Sequence, residues 1–135
     1  MVKNKSTTLL SHGVGRRKSF VARVWLHRGK GSIVINNLEY DKYFASPVNQ
    51  LDIELPFKAC SMFDKYDVKA NVQGGGLFSQ AGAIKLGISR ALALVSDDFR
   101  GKLRRHGLLT VDSRLKERKK YGQKAARRKF QFVKR

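Results

Sequence analysis

Eleven of the 22 residues from Arg114 to Arg135 are Lys or Arg against one acid, Glu117, and three aromatics, Tyr121, Phe130 and Phe132, stand among them. Guanidinium and ammonium groups pair with phosphates and flat rings stack on bases, so this spacing offers non-covalent contact with a nucleic-acid backbone. Apolar side chains are too few and too irregular here to form a core face, so burial cannot offset the entropy of ordering the segment. The stretch therefore reads as an extended arm that orders against a strongly anionic partner. Its reach, at ~3.3 to 3.6 Å per residue, is roughly 70 to 80 Å. It ends on the cations Lys134 and Arg135.

Other chemistry is weakly represented. Gly74-x-Gly76-x-x-Ser79 lies between a strand pattern and a helix pattern, but Ser79 occupies the third glycine position of a dinucleotide fingerprint. No GxxxxGK[ST] is present. The triplet Gly74-Gly75-Gly76 reads better as a flexible corner whose amides could meet an RNA phosphate. His12, His27 and His106 lie far apart in sequence and away from Cys60, which is not metal-ligand spacing. Asp97 and Asp98 are explained as helix-start acids, Asp64 and Asp67 flank a strand start, and no Ser sits in a GxSxG elbow. No catalytic residue, metal site or cofactor is expected.

Composition points the same way. The chain of 135 residues carries 29 Lys+Arg against 10 Asp+Glu, a formal net charge of +19. Such a charge repels itself unless a polyanion neutralises it, and binding driven by counterion release weakens steeply with salt. The length suits one domain. A lone Cys60 excludes an internal disulfide and fits a reducing compartment. No apolar run approaches the ~20 residues of a membrane span, and no basic amphipathic helix suggests a membrane surface. Residues 1–12 read as a disordered lead, 13–113 as the folded body, and 114–135 as the arm.

Within the body, Phe20 to His27 alternates as a strand: Phe20, Ala22, Val24 and Leu26 on a core face, Val21, Arg23, Trp25 and His27 on the other. The mixed face suits RNA, or Trp25 packs beneath a helix; both readings stay open. Arg28-Gly29-Lys30-Gly31 predicts a hairpin into a strand from Ser32 to Ile35. Leu38 to Phe44 reads as a helical turn. Ser46 and Pro47 start a helix that Pro56 should stop at Leu55. Val68, Ala70 and Val72 alternate with Lys69, Asn71 and Gln73 as a third strand. A helix follows from about Ala81 to Val95 with Ile84, Ile88, Leu92 and Val95 buried, then a second from Asp97 to His106, capped by Ser96 and closed by Gly107. Leu108 to Val111 predicts a fourth strand. The economical architecture is α/β, a two-layer sandwich of a small mixed sheet with helices on one face.

Several segments together resemble small-subunit ribosomal protein nine, bacterial/organellar type: GRRK-S-x-AR from Gly15 to Arg23, G-x-IVIN from Gly31 to Asn36, V-x-GGG-x-x-x-QAGAI from Val72 to Ile84, GI-x-RAL from Gly87 to Leu92, LR-x-x-G from Leu103 to Gly107, and D-x-R-x-x-ERKK-x-G-x-x-x-ARR-x-x-QF-x-KR from Asp112 onward. The resemblance implies a ribosomal protein five domain-2-like sandwich in the head of the small subunit, bound to rRNA, beside neighbouring ribosomal proteins, with an arm reaching peptidyl-site tRNA. No small-molecule substrate is implied. It would place the chain in a ribosome of a bacterial cytoplasm, a plastid or a mitochondrial matrix.

Carried onto this sequence, the resemblance implies tRNA contact by Lys134 and Arg135. It implies rRNA contact by Arg16, Arg17, Lys18, Gly74, Gly75, Gly76, Gln80 and Arg90 in the body, and by Arg114, Arg118, Lys119, Lys120, Arg127 and Arg128 in the arm. Arg23 on the mixed strand face and Lys124 and Lys129 in the arm join the expected rRNA contacts by charge and place. The chain departs from the family pattern at Ser79, Val111 and Phe130, and the second removes one expected phosphate contact. Two other readings from the charge and the glycines are a nucleoid-type protein that coats nucleic acid and an enzyme holding a nucleotide at the glycine corner.

Overall fold

The computed structural model describes residues 8–133. Five strands, β1 (Leu9–Arg17), β2 (Phe20–Arg28), β3 (Ile33–Ile35), β4 (Leu38–Glu39) and β5 (Tyr66–Val72), form one mixed sheet in the order β1-β2-β5-β3-β4. Helices α1 (Tyr40–Tyr43), α2 (Pro47–Cys60), α3 (Leu77–Val95) and α4 (Asp97–Arg105) complete the described elements. The α/β two-layer sandwich is as expected. Ala22, Val24 and Leu26 of β2, Val68, Ala70 and Val72 of β5, and Ile33 and Ile35 of β3 are buried against Ile53 and Phe57 of α2 and Ile84, Ile88 and Leu92 of α3.

The first strand was not legible. β1 takes in residues 9–12 of the expected disordered lead, because its core-facing positions are Gly13 and Gly15. A Cβ at Gly13 would fall 2.1 Å from the Gly87 carbonyl oxygen of α3. These glycines let strand and helix backbones touch. Ser11 Oγ donates to the Ala91 carbonyl at 2.9 Å, and Arg90 Nη1 to the Val14 carbonyl at 2.8 Å.

The expected hairpin across Gly29 to Gly31 does not form. β2 pairs antiparallel with β1, through the turn at Lys18 and Ser19, and with β5 on its other side. β3 lies beyond β5 and parallel to it, with Ile33 opposite Val68 and Ile35 opposite Ala70. The cause is Asp67, whose Oδ1 accepts from the backbone amides of Lys30 at 2.8 Å and Ser32 at 2.9 Å. With Gly29 N donating to the Lys65 carbonyl at 3.1 Å, the loop is tied to β5 and steps past it.

Three boundaries also differ. α2 runs through Pro56 to Cys60. A proline inside a helix costs ~3 kcal/mol, but Pro56 and the following Phe57 are almost wholly buried and Cys60 joins them, at ~1.5 to 3 kcal/mol for a fully buried large apolar side chain. α3 starts at Leu77 because the Gly76 carbonyl accepts from Ser79 N and Gln80 N at 3.0 and 3.2 Å. Residues 108–111 are not a strand: Leu108 is buried beneath the end of α4, and the only pairing nearby among described residues is the Arg17–Asp112 bridge. α4 is as expected, with Ser96 Oγ accepting from Asp98 N at 3.3 Å and Gly107 at φ 67° behind it.

Candidate nucleic-acid interface

Helices cover one side of the sheet, and the other side is open. Cross-strand register puts His12 of β1, Trp25 of β2 and Lys69 of β5 in one row, with Val14, Arg23 and Asn71 in the next. Trp25 is therefore not packed beneath a helix. It is half-buried because the His12 ring leans on it, with centroids 5.4 Å apart. Beside them Ser19, Val21, Arg23, Asn71 and Gln73 line an open hollow of about 310 Å³, room for one nucleoside-sized group. A ring pair with Arg and Lys on a flat sheet offers stacking and phosphate pairing together. Lys69, Asn71 and His12 were not among the expected site residues. Alternation marked Lys69 and Asn71 as outward, but only the β2–β5 pairing sets them beside Arg23.

Of the body cations, Arg16, Lys18 and Arg23 are exposed, the first two at the β1–β2 turn. Arg17 is not available in the same way. Its guanidinium lies 4.6 Å from the Phe78 ring centroid and bridges Asp112 at 3.3 Å, with the side chain only 14% exposed. Arg90 is half-buried, held by the Val14 carbonyl.

The glycine corner is exposed, with Gly74 at φ 86° and Gly75 at φ 45°. A Cβ at Gly75 would strike the Phe20 ring at 1.7 Å. Gln80 stands behind the corner rather than on it, buried, with Nε2 donating to the Gly74 carbonyl and Oε1 accepting from Tyr43 Oη at 2.8 Å. Tyr43 Oη in turn accepts from Asn36 Nδ2 at 3.4 Å, and Asn36 clasps the Val72 backbone at 2.8 and 3.0 Å. This chain of bonds sets the shape of the turn.

The arm leaves the body at Asp112, which accepts from Arg114 Nη2 at 2.7 Å and Nε at 2.8 Å. Those hydrogen bonds first, and the nearby Arg17 charge after them, hold the Asp112 carboxyl well below the usual carboxylate range. Residues 114–133 contain neither helix nor strand. Arg114, Arg118, Lys119, Lys120, Lys124, Arg127, Arg128 and Lys129 are all exposed. One local loop interrupts the run, where Arg127 forks onto Glu117 at 2.6 and 2.9 Å, and Lys124 lies 5.7 Å from the Phe130 ring centroid. Lys134 and Arg135 lie outside the described residues.

Fold and surface define a class: a basic α/β sandwich domain with an open cationic-aromatic sheet face and a trailing cationic arm. The profile of the family described as Ribosomal protein S9/S16 matches residues 15–135. Small ribosomal subunit protein uS9 of Cytophaga hutchinsonii is 52% identical over 124 residues, 92% of this chain and 97% of that relative. The protein of the same name from Amoebophilus asiaticus is 49% identical over the same shares. The chain belongs to the Ribosomal protein S9/S16 family, in its bacterial type. It is a structural component of the small ribosomal subunit and not an enzyme.

Proposed function

We propose that this protein holds small-subunit rRNA through its open sheet face, its glycine corner and the first part of its arm, and that Lys134 and Arg135 contact peptidyl-site tRNA. The observation that carries the rRNA reading is the one-sided sandwich. All large helices lie on one layer, which leaves Trp25, His12, Arg23 and Lys69 on the other with Arg16 and Lys18 at the adjacent turn. The arm adds exposed cations at Arg114, Arg118, Lys119, Lys120, Lys124, Arg127, Arg128 and Lys129. Gly74, Gly75 and Gly76 offer backbone amides at the corner. Arg17, Gln80 and Arg90 enter as groups that shape this surface, since each is engaged within the body. The tRNA reading is supported by charge and reach. Phosphate contacts carry no sequence information, which suits a site that must accept every tRNA in turn.

Two measurements test it. Each exposed arm cation replaced by Ala should lower the slope of log K against log[salt] for rRNA binding by about 0.7 to 0.9, and an unchanged slope for Lys119→Ala and Lys120→Ala overturns the arm contacts. Removal of Lys134 and Arg135 should leave subunit incorporation intact and speed tRNA loss from the peptidyl site; undiminished retention overturns the tRNA contact.

A further inference from the structure

The open side of the sheet is almost without acid. None of the chain's ten acids lies before Glu39, so β1, β2 and the turn between them carry Arg16, Lys18 and Arg23 with no carboxylate among them. The one acid of β5, Asp67, is tied to the amides of Lys30 and Ser32. Into this cationic surface β5 and the residue after it set two neutral amides. Asn71 and Gln73 alternate with the buried Ala70 and Val72, so both side chains are exposed on the open side. Two residues of strand separate them by roughly 6.5 to 7 Å. Asn71 stands opposite Arg23 in the cross-strand register, and Ser19 and Val21 complete the hollow of about 310 Å³ around them. Other amides brace the fold: Asn36, Gln50 and Gln80 donate to the Val72, Phe44 and Gly74 carbonyls. Among the described residues, by contrast, the side chains of Arg23, Asn71 and Gln73 have no hydrogen-bond, ion-pair or ring partner.

Two parts of an RNA strand compete for this hollow. A phosphate takes donors alone, which Arg23 supplies, and it would leave both amide oxygens facing an anion. A base edge carries donors and acceptors side by side, which a carboxamide matches with two hydrogen bonds, and unpaired bases expose those edges in single-stranded RNA. Val21, 40% exposed, adds an apolar wall for the face of the base. We propose that the hollow takes one unpaired nucleobase of rRNA, with Asn71 and Gln73 reading its Watson–Crick edge and Arg23 holding the adjoining phosphate. This site rests on the sheet face meeting rRNA, and it adds what phosphate contacts lack. Cations hold any RNA, whereas the two amides select a base and so fix the register of the protein on its strand.

The test compares assembled small subunits that carry the unsubstituted chain, the double variant Asn71→Ala with Gln73→Ala, or Arg23→Ala. Dimethyl sulfate and a carbodiimide report the Watson–Crick edges of unpaired bases, and hydroxyl radicals report the backbone. Expected is one rRNA base that the unsubstituted chain shields and that becomes about tenfold more reactive in the double variant, the discrimination of one two-bond pair, while the backbone beside it stays covered. If no base gains reactivity, the nucleobase site is overturned. Should Arg23→Ala still uncover the backbone in that case, the sheet-face reading stands and the hollow takes phosphate alone. Should Arg23→Ala uncover nothing either, the sheet-face reading falls with it, so the two failures are distinct. The single variants Asn71→Ala and Gln73→Ala each leave one amide and Arg23 in place, and they carry the same readout if the double variant fails to assemble.

Discussion

Gly15 of β1 lies so close to Ala83 of α3 that a Cβ at Gly15 would stand 1.7 Å from the Ala83 carbonyl oxygen. That approach joins the edge of the sheet to the long helix, and with it the arm root, since Arg17 two residues on is the partner of Asp112. The position of the arm therefore depends on a glycine in the core.

Gly15→Ala should destabilise the isolated chain by about 1 to 3 kcal/mol or more, since only backbone movement can make room. Gly101→Ala is the opposite case. Gly101 sits exposed inside α4, with nothing within 4 Å of an added Cβ, and removing a mid-helix glycine should stabilise by about 0.5 to 1 kcal/mol. Urea unfolding of both variants checks the signs.

Asp112→Asn should loosen the arm root without unfolding the body. The same release is expected with pH, and its sign follows from the lowered carboxyl pKa. The contribution is whole above the unfolded value near ~3.9 and is lost as pH falls through the lower folded one. Limited cleavage of the 112–114 segment by an acid-active protease, compared between wild type and variant down the pH scale, reads this. Equal cleavage at every pH excludes the tether.

Tyr40 should ionise well above the ordinary tyrosine value. Burial first, then its hydrogen bond to Glu54, pushes its pKa from the ordinary 10.0 to about 12. The folded state holds this proton more tightly than the unfolded state, so the contribution is intact below pH 10 and gone above about 12. Tyr40→Phe should abolish that part of the alkaline loss of stability and remove a step near pH 12 from the tyrosinate absorbance titration.

Much of the fold could be read locally. β2 and β5 alternate cleanly, and α4 carries Ser96, Asp97 and Asp98 at one end and Arg104, Arg105 and Gly107 at the other. Where local signals conflicted with burial, burial won: α2 continues through Pro56 because Phe57 and Cys60 beyond it belong to the core. Arg17 and Arg90, expected among the rRNA contacts from the family resemblance, have their guanidiniums engaged within the body by Asp112 and by the Val14 carbonyl, which no local pattern in the sequence signals.

The amino-acid order alone determined the charge of the arm, the outward set of each alternating strand and the ends of α4, because each is carried by side chains a few positions apart. Tertiary structure decided which strands are neighbours, that β1 exists, and that Trp25 faces away from the helices. Those outcomes rest on pairs distant in sequence, Gly15 with Ala83, Asp67 with the amides of Lys30 and Ser32, and Trp25 with His12 and Lys69. Such contacts carry no periodic signal, since their energies arise only once the chain has brought the partners together.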